Sequence, residues 1–101
     1  MTNEDVPELQ SIWDNARRFI ERGDYDKAIE IYEYILIRYS DYPIAVEHAN
    51  AYLGDIFLTL RQLDIAEEHI KKAISYKPEK PGYHYILGFI YSNKRQWEFT
   101  R

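Results

Sequence analysis

Three histidines, ten tyrosines and no cysteine set the limits of the chemistry this chain can offer. His48, His69 and His84 are separated by intervals of 21 and 15, which is not the spacing of metal ligands. Glu47-His48 and Glu68-His69 are adjacent pairs, and neighbours in a helix point in different directions. The sequence contains no glycine-rich phosphate loop, no serine nucleophile elbow and no HExxH motif. Without cysteine there is no thiol nucleophile, thiolate metal site or disulfide framework. The expectation is a protein that is not an enzyme, with no catalytic residues, metal or cofactor, and with structural or surface histidines.

Bulk properties narrow the partners. A formal net charge of -4 argues against a nucleic-acid groove. The charge is uneven: residues 1–50 hold 5 Lys+Arg against 11 Asp+Glu, whereas residues 51–101 hold 8 against 6. No apolar run approaches the length of a membrane span, and the acidic start MTNEDVPEL lacks the layout of a secretory signal. Together with the missing cysteine, these features predict a cytoplasmic protein with no membrane partner.

The elements that would carry such surfaces follow from an internal repeat. Tyr52-Leu53-Gly54-Asp55-Ile56-Phe57 recurs at an offset of 34 as Ile86-Leu87-Gly88-Phe89-Ile90-Tyr91. Arg61-Gln62-Leu63-Asp64-Ile65-Ala66 recurs at the same offset as Arg95-Gln96-Trp97-Glu98-Phe99-Thr100. Ala16, Phe19, Ala28 and Tyr32 precede Gly54, Phe57, Ala66 and Ile70 at a common offset of 38. Each unit reads as two amphipathic helices. Ala49, Leu53, Ile56 and Leu60 form one buried stripe, and Ile65, Ala66, Ile70, Ala73 and Ile74 form the next. Arg61-Gln62 leaves room only for a tight turn, so the two helices pack antiparallel. Asp5-Val6-Pro7-Glu8, Gly23-Asp24, Asp41-Tyr42-Pro43 and Pro78 to Pro81 mark the boundaries. Ile31 to Tyr39 is strand-like on propensity, yet Ala28, Tyr32, Ile35 and Tyr39 keep a helical stripe, so helix is expected there.

These residues resemble a tetratricopeptide repeat array, whose unit follows W-x2-L-G-x2-Y, then A-x3-F, then P. The middle unit supplies Leu53, Gly54, Phe57, Ala66, Ile70, Ala73 and Pro78, and the last supplies Leu87, Gly88 and Tyr91. The first is weaker, with Asn15, Ala16 and Phe19 in place of Leu-Gly-Tyr but with Gly23, Ala28 and Tyr32 present. The tryptophan position is Ile12, Asn50 and His84. The resemblance implies an all-α, right-handed α-solenoid of antiparallel helix pairs, about 2.5 repeats with five full helices and a short sixth. Residues 1–101 then form one domain, with repeat 1 at 9–46 carrying a helix pair lengthened by a turn around Ser40 to Val46. Repeat 2 covers 47–80 and a truncated repeat 3 covers 81–101, which predicts a fragment of a longer array. Gly54 and Gly88 are expected to let paired helices approach closely, and most tyrosines to lie between helices.

By resemblance, the function is a protein–protein interaction module whose concave groove holds a peptide or helix of a protein partner. The groove positions carried over are Trp13, Arg17 and Ile20, then His48, Ala51, Tyr52, Asp55 and Thr59, then Tyr85, Phe89 and Ser92. Family members that grip acidic chaperone C-termini use a clamp of Lys and Asn residues. Here Trp13, Arg17, Tyr52, Gly82 and Ile86 occupy those positions with a single cation, so that clamp is not implied. A second expectation is self-association. Leu87, Ile90, Tyr91, Trp97 and Phe99 would present an apolar patch, giving a homodimer through the C-terminal end or a spacer within a larger protein.

Overall fold

A computed structural model describes the backbone of residues 7–100 and the side chains of residues 8–96. The Asp5 cap therefore lies outside the described residues. Five helices follow one another: α1 (Pro7–Glu21), α2 (Tyr25–Arg38), α3 (Pro43–Thr59), α4 (Leu63–Tyr76) and α5 (Pro81–Thr100). The described residues are all-helical, and each helix packs on its neighbours in the chain, with an additional contact between α3 and α5. The β-branched segment from Ile31 onward is helix, because Ala28, Tyr32 and Ile35 are buried on one face of α2. Among the described residues no helix is long and apolar enough to cross a membrane.

The turns repeat in detail. After α1, Gly23 adopts φ 76°, its amide donates to Ile20 O, and the Asp24 amide donates to Phe19 O at 2.8 Å. At the equivalent place after α3, Arg61 adopts φ 64°, its amide donates to Leu58 O, and the Gln62 amide donates to Phe57 O at 2.9 Å. Both turns satisfy the last carbonyls of a helix through a left-handed residue. Glycine takes that conformation freely, while Arg61 is strained there and bonds to Asn93 on α5.

The core runs through two joined clusters. Ala28, Tyr32, Ile35, Ala49, Leu53 and Ile56 centre the first, and Ala66, Ile70, Ala73, Tyr83 and Ile90 the second. Half-buried Phe57 packs against both. In the register that pairs Gly54 with Gly88, Ala49 matches Tyr83 and Ile56 matches Ile90, all of them buried. In that register α3 begins about one turn earlier than α5. The additional turn therefore lies at the start of α3, with Ala45 buried inside it.

The outward side of α1 is polar. Ser11, Asn15 and Arg18 are exposed, whereas Ala49, Leu53 and Ile56, their equivalents in the next unit, are buried under α1 and α2. The far side of α5 likewise carries exposed His84, Gly88 and Ser92, where Asn50, Gly54 and Leu58 of α3 face covered surroundings.

Three expectations need correction. The short sixth helix does not form: α5 continues through Arg95-Gln96 to Thr100. At Arg61 a left-handed residue opens the turn into α4, which packs extensively on α3, whereas Arg95-Gln96 lie within α5. Tyrosines are not mostly core. Tyr32, Tyr39 and Tyr83 are buried, but Tyr34, Tyr52, Tyr76, Tyr85 and Tyr91 are exposed. Gly88 meets no neighbour within 4 Å of a Cβ position, so it permits no close approach.

Candidate ligand groove

Two clefts lie side by side along α1, α3 and α5. The first, of about 340 Å³, is lined by Gln10, Trp13 and Arg17 of α1, Tyr32 of α2, and Ile44, His48 and Tyr52 of α3. The second, of about 260 Å³, is lined by His48, Ala51, Tyr52 and Asp55 of α3, Lys80 of the preceding turn, and Tyr83 and Ile86 of α5. His48 and Tyr52 belong to both, so the clefts form one groove.

Aromatic rings build the first cleft. Trp13 lies 5.9 Å from Tyr32, 6.0 Å from His48 and 6.4 Å from Tyr52 between ring centroids. Tyr32 and Tyr52 stack at 5.1 Å and 9°. Such offset arrangements hold flat apolar walls in place. Tyr32 is only 1% exposed, and its hydroxyl makes no hydrogen bond with a described residue. Burial, with a contribution from Tyr52, pushes that phenol well above its ordinary range, and Arg17 opposes the shift.

Tyr83 and Lys80 of the second cleft engage a buried carboxylate. Glu47 is 2% exposed and accepts a 2.5 Å hydrogen bond from the Tyr83 hydroxyl at Oε2. Lys80 Nζ lies 3.8 Å from the same oxygen, 4.8 Å from the Tyr83 ring centroid, and donates to the Tyr83 hydroxyl at 3.4 Å. Burial and the Glu47 carboxylate both hold the Tyr83 phenol protonated. His48 Nε2 stands 4.0 Å from Glu47 Oε2. Desolvation lowers the His48 pKa from its ordinary 6.5, against the pull of Glu47, so the imidazole is neutral at neutral pH. Asp55 sits at the exposed rim, yet partial desolvation of its carboxyl raises its pKa.

Of the groove residues expected from sequence, Trp13, Arg17, His48, Ala51, Tyr52 and Asp55 line these clefts. The others do not. Ile20 packs against the core, and Thr59 donates its hydroxyl to the Asp55 carbonyl at 3.0 Å. Tyr85 and Phe89 form an exposed edge-to-face pair at 4.8 Å on α5, and Ser92 is exposed beyond them. Gln10, Tyr32, Ile44, Lys80, Tyr83 and the buried Glu47 were not expected. Glu47 carried a legible signal: its equivalent in the first unit is Leu9, 1% exposed, so the repeat register puts a carboxylate at a core position.

The described residues of the expected self-association patch do not share one exposed face. Ile90 is fully buried and Leu87 half-buried, because their face of α5 packs onto α4. Tyr91 is exposed but donates to Glu67 at 3.1 Å. The side chains of Trp97 and Phe99 lie outside the described residues. His69 is tied into the fold, with Nδ1 2.8 Å from Asn50 Oδ1 and its ring stacked on Phe57 at 5.8 Å. Among the described residues no group of three His, Asp or Glu could hold a metal ion.

Comparison with protein-family models, with curated proteins and with solved structures finds no match for this chain.

Proposed function

We propose that the chain is a protein-interaction module of the tetratricopeptide type. In this reading its antiparallel helix pairs stack as a right-handed solenoid, and it holds an extended peptide or helix of a partner in the groove. The observation that carries this is the continuous pair of clefts on α1 and α3, the latter reaching α5, joined through His48 and Tyr52. Concave sites with apolar aromatic walls and a few polar groups are where proteins take ligands. The reading is of binding rather than of a chemical step, in the cytoplasm and with a protein as partner.

The test is affinity capture from a cell lysate with the wild type and three variants. Proteins retained by the wild type should be lost from Trp13→Ala and from Tyr52→Ala, while Tyr85→Ala, outside the clefts, should retain them. Circular dichroism should be unchanged in all three variants. Equal retention by all forms would place binding elsewhere.

A further inference from the structure

The groove carries charges of opposite sign at equivalent positions of successive units. Arg17 on α1 and Asp55 on α3 are related by the same offset that relates Gly23 to Arg61 and Ala28 to Ala66. Neither forms a salt bridge with a described residue, although Lys71, Lys94, Glu67 and Asp64 are engaged with one another. Lys80, the other cation of the groove, is turned to Glu47 and Tyr83. His48, which lines both clefts, is neutral at neutral pH.

Around Arg17 the first cleft adds a hydroxyl and an aromatic wall. Tyr32 contributes a buried hydroxyl with no partner among the described residues, and Trp13 contributes a flat wall beside it. Leaving a buried polar group unpaired is unfavourable, so an oxygen brought in by a ligand gains more there than at an open surface. Around Asp55 the walls are Ala51 and Ile86, and its carboxylate is the anion at the rim of that cleft.

Building on the groove reading above, we infer that the occupant is an extended peptide bearing both a carboxylate and a cation. The carboxylate meets Arg17 and the Tyr32 hydroxyl, with an apolar neighbour on Trp13, and the lysine or arginine meets Asp55. Like charges exclude the alternatives. A polyanion is repelled by Asp55 and a polycation by Arg17, so the pattern selects a dipolar segment.

The experiment selects a display library of random peptides, each roughly a dozen residues long, against the full chain and against the charge-swapped variant Arg17→Asp with Asp55→Arg. Both residues are exposed, so the swap leaves the fold intact by circular dichroism. The wild type should enrich peptides with an acid and a base at one recurring separation, in one order along the chain. The swapped variant should enrich the opposite order. Either single reversal should weaken a wild-type binder about fivefold. Enriched peptides without paired charges, or with the same order for both proteins, would overturn the inference. Binders that lose affinity with Trp13→Ala and Tyr52→Ala but ignore the charge swap overturn the charge pattern and leave the groove reading standing. Binders indifferent to those two alanine substitutions overturn both.

Discussion

A methyl group added to Gly54 would come within 3.2 Å of the Ile70 Cβ and 3.3 Å of the Ile70 amide nitrogen. Those atoms belong to a buried side chain and a helix backbone, which have no room to yield. Gly54→Ala should therefore cost about 1–3 kcal/mol through overpacking. Gly88 holds the same place in the next repeat, and a methyl there meets nothing within 4 Å. Gly88→Ala should stabilise the chain by up to about 1 kcal/mol, the helix-propensity difference. Thermal melts of the two variants, shifted in opposite directions, check the pair; a shared direction would show that the two glycines are equivalent. Identical letters thus act differently because only one has a helix against it. At this scale the sequence is least legible. Glu47 reads as a surface residue unless its register partner Leu9 is known to lie in the core, and Tyr32 reads as pure packing although its side chain lines the cleft.

The docking of α5 onto α4 depends on a compact polar clamp. Glu67 Oε1 accepts from Lys94 Nζ at 2.5 Å and its Oε2 from Lys71 Nζ at 2.7 Å, while Lys94 also reaches Asp64 at 2.7 Å. Hydrogen bonds from Lys71, then Lys94, hold the Glu67 carboxyl at about 2 rather than its ordinary 4.5. The folded state thus binds fewer protons than the unfolded one between those values. The clamp's stabilisation is complete above pH 4.5 and drains away as pH falls toward 2. Urea denaturation should find Glu67→Gln about 1–2 kcal/mol less stable than wild type at about pH 7, with the gap closing at about pH 3. A gap independent of pH would mean that packing, not charge, is lost. Elements themselves are readable from periodicity and caps, since Ala28, Tyr32 and Ile35 outweigh the strand propensity of their neighbours once one face is buried. The end of α5 is not readable, because Arg95-Gln96 repeats the letters of Arg61-Gln62 yet stays helical, and those letters do not encode the left-handed backbone that Arg61 adopts.

Over the whole molecule, the two ends differ from the middle in a consistent way. Ser11, Asn15 and Arg18 of α1 and His84 and Ser92 of α5 are exposed, where their equivalents on α3 are buried or half-buried. Arg17 and Asp55 in the groove run against the acidic excess of residues 1–50 and the basic excess of residues 51–101. Contacts link helices that are close in sequence, and the α3–α4 pair shares the most extensive of them. Among the described residues no extensive contact joins α1 to α5, so the fold can come apart from either side. Backbone amides of α3 and α4 should exchange their hydrogens slowest, near the rate set by global unfolding, and α1 and the last turns of α5 fastest. Hydrogen-exchange mass spectrometry would see that gradient directly. Its steepness measures how far one helix pair at the centre holds the fold while its neighbours open and close.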